Sequence, residues 1–187
     1  VGSEMCIRDR VNISLFRKQD FEKALLIMRR VFSAGLCTGN LVCRARAGEK
    51  IGDFIVPYGK IALATVCSVL VNGALLKAGV PIDSRFGGLL QLRDRKPWRF
   101  VDLIHYAGCS LDPAEVFIKA KMTSVTKAVK SGNGSILANF REIPALCRPM
   151  AQEVIGRLGG AGLNSVLLLG GVSEPVCEIS MELNRVG

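Results

Sequence analysis

The chain has 187 residues, 49% of them hydrophobic and 22% charged, which excludes a disordered tail and describes a globular chain with an ample core. Its 25 Lys and Arg against 16 Asp and Glu leave a net charge of +9, which favours acidic partners: nucleic acid, an anionic surface or a multiply charged metabolite. One histidine, His105, and seven cysteines without a CxxC pair supply neither zinc spacing nor a disulfide framework, so no metal is expected and a reducing cytoplasm is the expected compartment.

Residues 1–10, VGSEMCIRDR, carry no helical or strand periodicity and look like appended read-through sequence. They are expected to be non-native, leaving residues 11–187 as the domain, truncated at its C-terminus. Val11, Ile13 and Leu15 alternate as a strand does. Phe21, Ala24, Leu25, Met28, Val31 and Phe32 then trace one face of a helix, with Asp20 as its N-cap and Gly35 as its stop.

Ile61 to Leu76 is an uncharged run of sixteen residues. A bilayer span takes about 20 predominantly apolar residues, and this run is interrupted by Thr65, Ser68, Asn72 and Gly73. A buried strand from Ile61 to Leu70 running into a buried helix is expected instead, and no membrane association. On that strand Thr65 and Ser68 would lie on opposite faces, where either can line a pocket or bond to backbone.

Further on, Gly87 to Arg93 and Trp98 to Tyr106 flank the polar tip Asp94-Arg95-Lys96-Pro97 and predict a hairpin. Asp112-Pro113-Ala114-Glu115 has a capping aspartate, proline at the first helical position and glutamate at the third, and predicts a helix of about two to three turns. Met122 to Val129 and Ser135 to Phe140, either side of Lys130 to Gly134, predict a second hairpin. A helix is expected from Pro144 to Leu158, stopped by Gly159-Gly160 and kinked at Pro149. Closing strands are expected at Val166 to Leu169 and Val176 to Met181. The fold class is α+β: a single domain of mixed β-sheet with β-hairpins and about three to four helices.

Neither GxGxxG nor GxxxxGK[ST] occurs, so nucleotide-phosphate sites lack their central device. Arg85 beside Gly87 and Gly88 can hold a carboxylate bidentately if the glycine amides are exposed; the alternative is a bulge with a surface arginine. His105, with Tyr106 and Ser110, can orient an anion at the following helix N-terminus, or His105 can simply pack on its strand. Cys109 and Asp112 are the candidates for an enzyme reading, though the sequence places no base beside Cys109 and Asp112 is better used as a cap. Lys119, Lys121, Lys127, Lys130 and Arg141, and the segment Arg93 to Arg99, form basic stretches that either touch phosphates or are solvated, without a helix-turn-helix spacing.

The stretches VNISLFRKQDFEKALLIMRRVFSAGL, VNGALLKAGVPIDSRFGG and AGCSLDPAEVF resemble the regulatory domain of the NrpR-type archaeal nitrogen repressors, from about Val11 to the end of the chain. The resemblance implies a cytoplasmic transcription regulator that senses 2-oxoglutarate and uses no other cofactor. It implies a homo-oligomer, a dimer, that meets DNA only indirectly through a winged helix-turn-helix missing from these residues. Cys109 stands where the family pattern leads one to expect threonine. The resemblance assigns no site residue. The ligand candidates read from the residues are Arg85, Gly87, Gly88 and Ser110, with Thr65, Ser68 and His105.

Overall fold

The structure is a computed structural model that describes residues 11–164 and 166–187. The expected non-native segment at residues 1–10 therefore lies outside the described residues. The α+β class holds, with five α-helices among the described residues and antiparallel pairing between all named strands. The chain divides into two compact units, one of residues up to Ala74 with Ile155–Ser165, the other of Leu75–Val154 with Val166–Gly187.

In the first unit, β1 (Val11–Arg17) leads through a single 3-10 turn into α1 (Phe21–Ser33). Asp20 stands at the N-cap of α1 but makes no side-chain cap bond; its carboxylate pairs instead with Arg17. Phe21 is 1% exposed, edge-on to Phe16 and beneath the Arg44 guanidinium. The segment between α1 and Ile61, to which the sequence assigned no element, holds β2 (Val42–Arg46) and a two-strand ribbon of β3 (Lys50–Ile51) and β4 (Phe54–Ile55). β5 (Lys60–Val66) lies between β1 and β2 in a three-stranded sheet. With a neighbour on each side it is the best-buried strand of the three, which is why its residues are apolar without alternation: Ala62, Leu63 and Ala64 are all buried.

The uncharged run thus divides into β5 and α2 (Val69–Lys77), and among the described residues no helix is long and apolar enough to cross a membrane. The strand ends at Val66 rather than Leu70. Beyond it the carbonyls of Cys67 and Ser68 accept from the amides of Leu70 and Val71, so helical turns begin four residues earlier than the apolar pattern implied.

The second unit is built on a four-stranded sheet ordered β7-β6-β8-β9, from β6 (Asp83–Arg93), β7 (Lys96–His105), β8 (Gly134–Pro144) and β9 (Arg185–Val186). The first hairpin forms as expected, but its loop is tighter: Asp94 and Arg95 alone turn the chain, both with positive φ (51° and 66°), and Pro97 already pairs with Leu92. Phe86, Phe100 and Phe140 pack on one sheet face, with Phe86 and Phe140 stacked at 4.9 Å and Phe100 edge-on to both. Phe86 and Phe140, both buried, contribute about 1.5–3 kcal/mol each, and each aromatic pair about 0.5–1.5 kcal/mol more. Val176, Cys177, Ile179 and Met181 pack against this cluster. They do so from an irregular segment: the closing strands expected at Val166 to Leu169 and Val176 to Met181 reduce to one isolated bridge, Val176 to Ile179, and the strand that joins the sheet is β9.

α3 (Pro113–Lys119) has the cap read from sequence, with Asp112 Oδ1 accepting from the Ala114 amide at 2.9 Å. The second expected hairpin is not one. Its first arm is α4 (Val125–Ser131), closed by Gly132 in the left-handed conformation, φ 76°, whose amide bonds to the Ala128 carbonyl. Glycine tolerates that conformation at no cost in Cβ clash, so the Gly132-Asn133-Gly134 stretch ends a helix and starts a strand rather than turning a hairpin. α5 (Arg148–Gly160) follows a 3-10 turn at Ala145–Cys147. Pro149 is its second residue, where no backbone amide is needed, so the expected interior kink does not arise.

Candidate functional site

The expected ligand residues divide between the two units: Thr65 and Ser68 belong to the first, Arg85, Gly87, Gly88, His105 and Ser110 to the second. Thr65 is half-buried on β5, opposite Asn12 and Val42, while Ser68 lies past the strand's end, so the two are not alternating residues of one strand.

Arg85 is engaged within the protein. Its Nη1 lies 3.4 Å from Glu142 Oε2 and 3.7 Å from Asp83 Oδ2. Arg185, on β9, reaches the same carboxylates at 3.3 and 3.8 Å. The Glu142 side chain is 4% exposed, and Glu142 is the buried charged residue among those described. Two cations therefore balance two anions, and this cluster ties β6, β8 and β9 together. Buried carboxylates survive in proteins when paired in this way.

Gly87 and Gly88 do not offer exposed amides. Both are buried on β6 between two paired strands, Gly87 opposite Ile104 and Asn139, Gly88 opposite Leu103 and Ala138. Their missing side chains permit close packing: a Cβ on Gly87 would come 2.9 Å from the Pro113 Cβ, and one on Gly88 2.6 Å from the Asp102 carbonyl oxygen. The anion cradle expected from Arg85, Gly87 and Gly88 is thus a structural junction.

His105 is opposite Phe86 at the end of β7 and packs edge-on to its ring at 5.7 Å. Its neighbour Tyr106 donates its hydroxyl to Asn139 Oδ1 at 2.8 Å. Ser110 is exposed in the loop before Asp112. The enzyme candidates are likewise occupied locally: the Cys109 thiol contacts the Leu111 carbonyl at 3.5 Å, and Asp112 caps α3. Burial raises the Cys177 and Cys37 thiols above their ordinary pKa, the latter partly offset by a backbone bond from Gly39. A raised thiol pKa opposes thiolate nucleophilicity. Among the described residues no group of His, Cys, Asp and Glu is placed to hold a metal.

An open cleft of about 350 Å³ does form in the second unit, lined by residues of β6, β7, α4 and the start of β8. Arg93, Trp98 and Lys127 supply its charged and aromatic walls, and Gln91, Ser124 and Ser135 its polar ones. The Trp98 indole is flanked by the guanidinium groups of Arg99 at 4.3 Å and Arg93 at 5.4 Å. Arg99 is steadied by a bond from its Nε to Gln91 Oε1 at 3.1 Å. In the sequence Arg93 to Arg99 and Lys127 belong to separate basic stretches. The local signal available was the Arg93, Trp98, Arg99 spacing; the register that adds Lys127 is tertiary.

A sequence model described as "NrpR regulatory domains NRD1 and 2" matches residues 10–187. The chain belongs to this family of regulatory domains. Among curated relatives it is 38% identical over 178 residues to the global nitrogen regulator NrpRI of Methanosarcina mazei, covering 95% of this chain and 54% of that protein. It is 29% identical over 173 residues to the global nitrogen regulator NrpR of Methanococcus maripaludis, covering 90% of this chain and 31% of that one. The chain thus spans about half of the first relative and under a third of the second. The crystal structure of a nitrogen repressor-like protein from Methanococcus jannaschii superposes with a TM-score of 0.75 at 25% identity, over 94% of this chain and 70% of that one.

Proposed function

We propose that the chain is the effector-sensing regulatory domain of a transcriptional repressor of nitrogen-assimilation genes. The observation that carries this reading is family membership over residues 10–187, together with the name global nitrogen regulator borne by the relatives. In this reading 2-oxoglutarate is the effector, no other cofactor is used, and the domain performs no chemistry. It works in the cytoplasm, away from membranes, as a homodimer. A winged helix-turn-helix elsewhere in the full protein reads the DNA. The effector acts by binding one conformation better than another, and differential affinity worth about 1–3 kcal/mol changes DNA affinity about 5- to 150-fold.

Calorimetry with 2-oxoglutarate on the full-length protein, paired with an operator mobility shift with and without it, tests the proposal. Saturable binding that weakens the DNA complex is the expected result. No heat at millimolar ligand, with an unchanged shift, overturns it.

A further inference from the structure

The cleft in the second unit has the features of an anion seat. It is lined by two cations, Arg93 and Lys127, and by no carboxylate. Among the described residues neither has an ion-pair partner, whereas Arg85 and Arg185 do. Arg93 leaves the end of β6 and Lys127 rises from α4, so the two charges come from different elements. An arginine fork matches a planar carboxylate or a phosphate, and a lysine acts as a point charge for a second anionic group.

The frame behind these side chains is fixed. Ser124 and Ser135 exchange two bonds of 2.8 Å, the Ser124 amide to the Ser135 carbonyl and the Ser135 amide to Ser124 Oγ. Since that hydroxyl oxygen accepts, its proton is available to donate to a ligand. Gly134 lets α4 lie against β8, because a Cβ there would come 2.9 Å from the Ala128 amide nitrogen. The hairpin tip is pinned to the same connection: the Asp94 amide donates to Asn133 Oδ1 at 3.2 Å and the Arg95 amide to the Gly132 carbonyl at 2.8 Å. Asp94 and Arg95 take positive φ there, as a two-residue hairpin turn requires.

We propose that this cleft seats a compact organic dianion, one anionic group on Arg93 and the other on Lys127, with Ser124 and Gln91 on the polar part between them and Trp98 as the wall. A volume of about 350 Å³ suits a small metabolite. The inference deepens the effector-sensing reading and rests on it only for the choice of 2-oxoglutarate as first probe; a phosphate group offers the same chemistry.

Trp98 is the single tryptophan of the chain, so intrinsic fluorescence reports on this cleft directly. The experiment titrates the full chain with 2-oxoglutarate and, separately, with inorganic phosphate, by fluorescence and calorimetry, in the native protein and in Arg93→Ala and Lys127→Ala. The expected result is a saturable Trp98 signal with 2-oxoglutarate and affinity weakened about 10- to 100-fold in each variant, at unchanged circular dichroism. Undiminished 2-oxoglutarate affinity in both variants overturns the cleft assignment and leaves the effector reading standing. Phosphate binding that both variants lose, without 2-oxoglutarate binding, upholds the cleft and removes the effector. No binding of either probe overturns both.

Discussion

Replacing Glu142 by alanine removes the buried charge on which Arg85 and Arg185 converge. Breaking a buried ion pair by deleting one partner costs about 3–5 kcal/mol when the remaining charge is trapped away from water. Here the trap is incomplete. The Arg85 and Arg185 side chains are 36% and 26% exposed, their contacts to Glu142 are 3.4 and 3.3 Å rather than the shorter distances of ideal charged pairs, and Asp83 stays within 3.8 Å of both. The guanidinium groups can therefore recover part of their hydration, which brings the expected cost down to about 2–3 kcal/mol. Urea unfolding followed by circular dichroism reads this as a midpoint lowered by about 1 M or more, at slopes of about 1–3 kcal/mol/M. A cycle with Arg185→Ala should show a coupling of at least about 0.5 kcal/mol, since Arg185 Nε contacts Glu142 Oε2 directly at 3.3 Å. A Glu142→Ala midpoint within error of the native one would refute the idea that this cluster holds β9 to the sheet.

Gly88→Ala should destabilise by about 1–3 kcal/mol in thermal unfolding, because its Cβ would press on the Asp102 carbonyl and on Phe100 at 3.0 Å; a neutral result would show that β6 and β7 can separate freely. Asp112→Ala should cost about 1 kcal/mol and Asp112→Asn much less, measured the same way, since the amide of asparagine still accepts from Ala114; equal losses would deny the cap. Lys119, 2.9 Å from Glu115, holds that carboxyl below its ordinary pKa by a hydrogen bond and by charge. A depressed carboxyl adds stability above its unfolded pKa that is lost as pH falls through the folded value. Nuclear magnetic resonance titration should find Glu115 returned upward in Lys119→Met, and an unmoved curve would remove the pairing.

Local chemistry was readable along the chain wherever adjacent residues complete it. Asp112-Pro113 announces the start of α3, and Asp94 to Pro97 the turn of the first hairpin, though Lys96 and Pro97 belong to the strand, since each signal is finished within a few positions. α4 was hidden because Val125, Thr126 and Val129 favour strands intrinsically, and the helix is set by the Ser124–Ser135 bonds across to β8. Arg85 read as a ligand anchor because its partner Glu142 is 57 positions away. Gly87 and Gly88 read as exposed amides because nothing in sequence shows that Pro113 and Asp102 close on them. The cleft is not legible in the sequence for the same reason: its walls come from four elements, and only register brings Gln91 opposite Ser135 and Leu92 opposite Gly134.

The division of the chain bears on how it is made. Each unit is discontinuous: the first takes back Ile155–Ser165 after the chain has left it, and the second recovers its remaining part, Val166–Gly187, only afterwards. During synthesis neither unit can be finished when its first segment leaves the ribosome, although domains ordinarily fold in turn as they emerge. The Phe86 and Phe140 rings must wait for Val176, and Glu142 for Arg185. Such late, distant closures slow folding and keep apolar surface open for longer. The second unit therefore keeps apolar surface open until Val166–Gly187 is made, and chain breaks within that stretch should harm yield more than breaks of equal length in the β3–β4 ribbon.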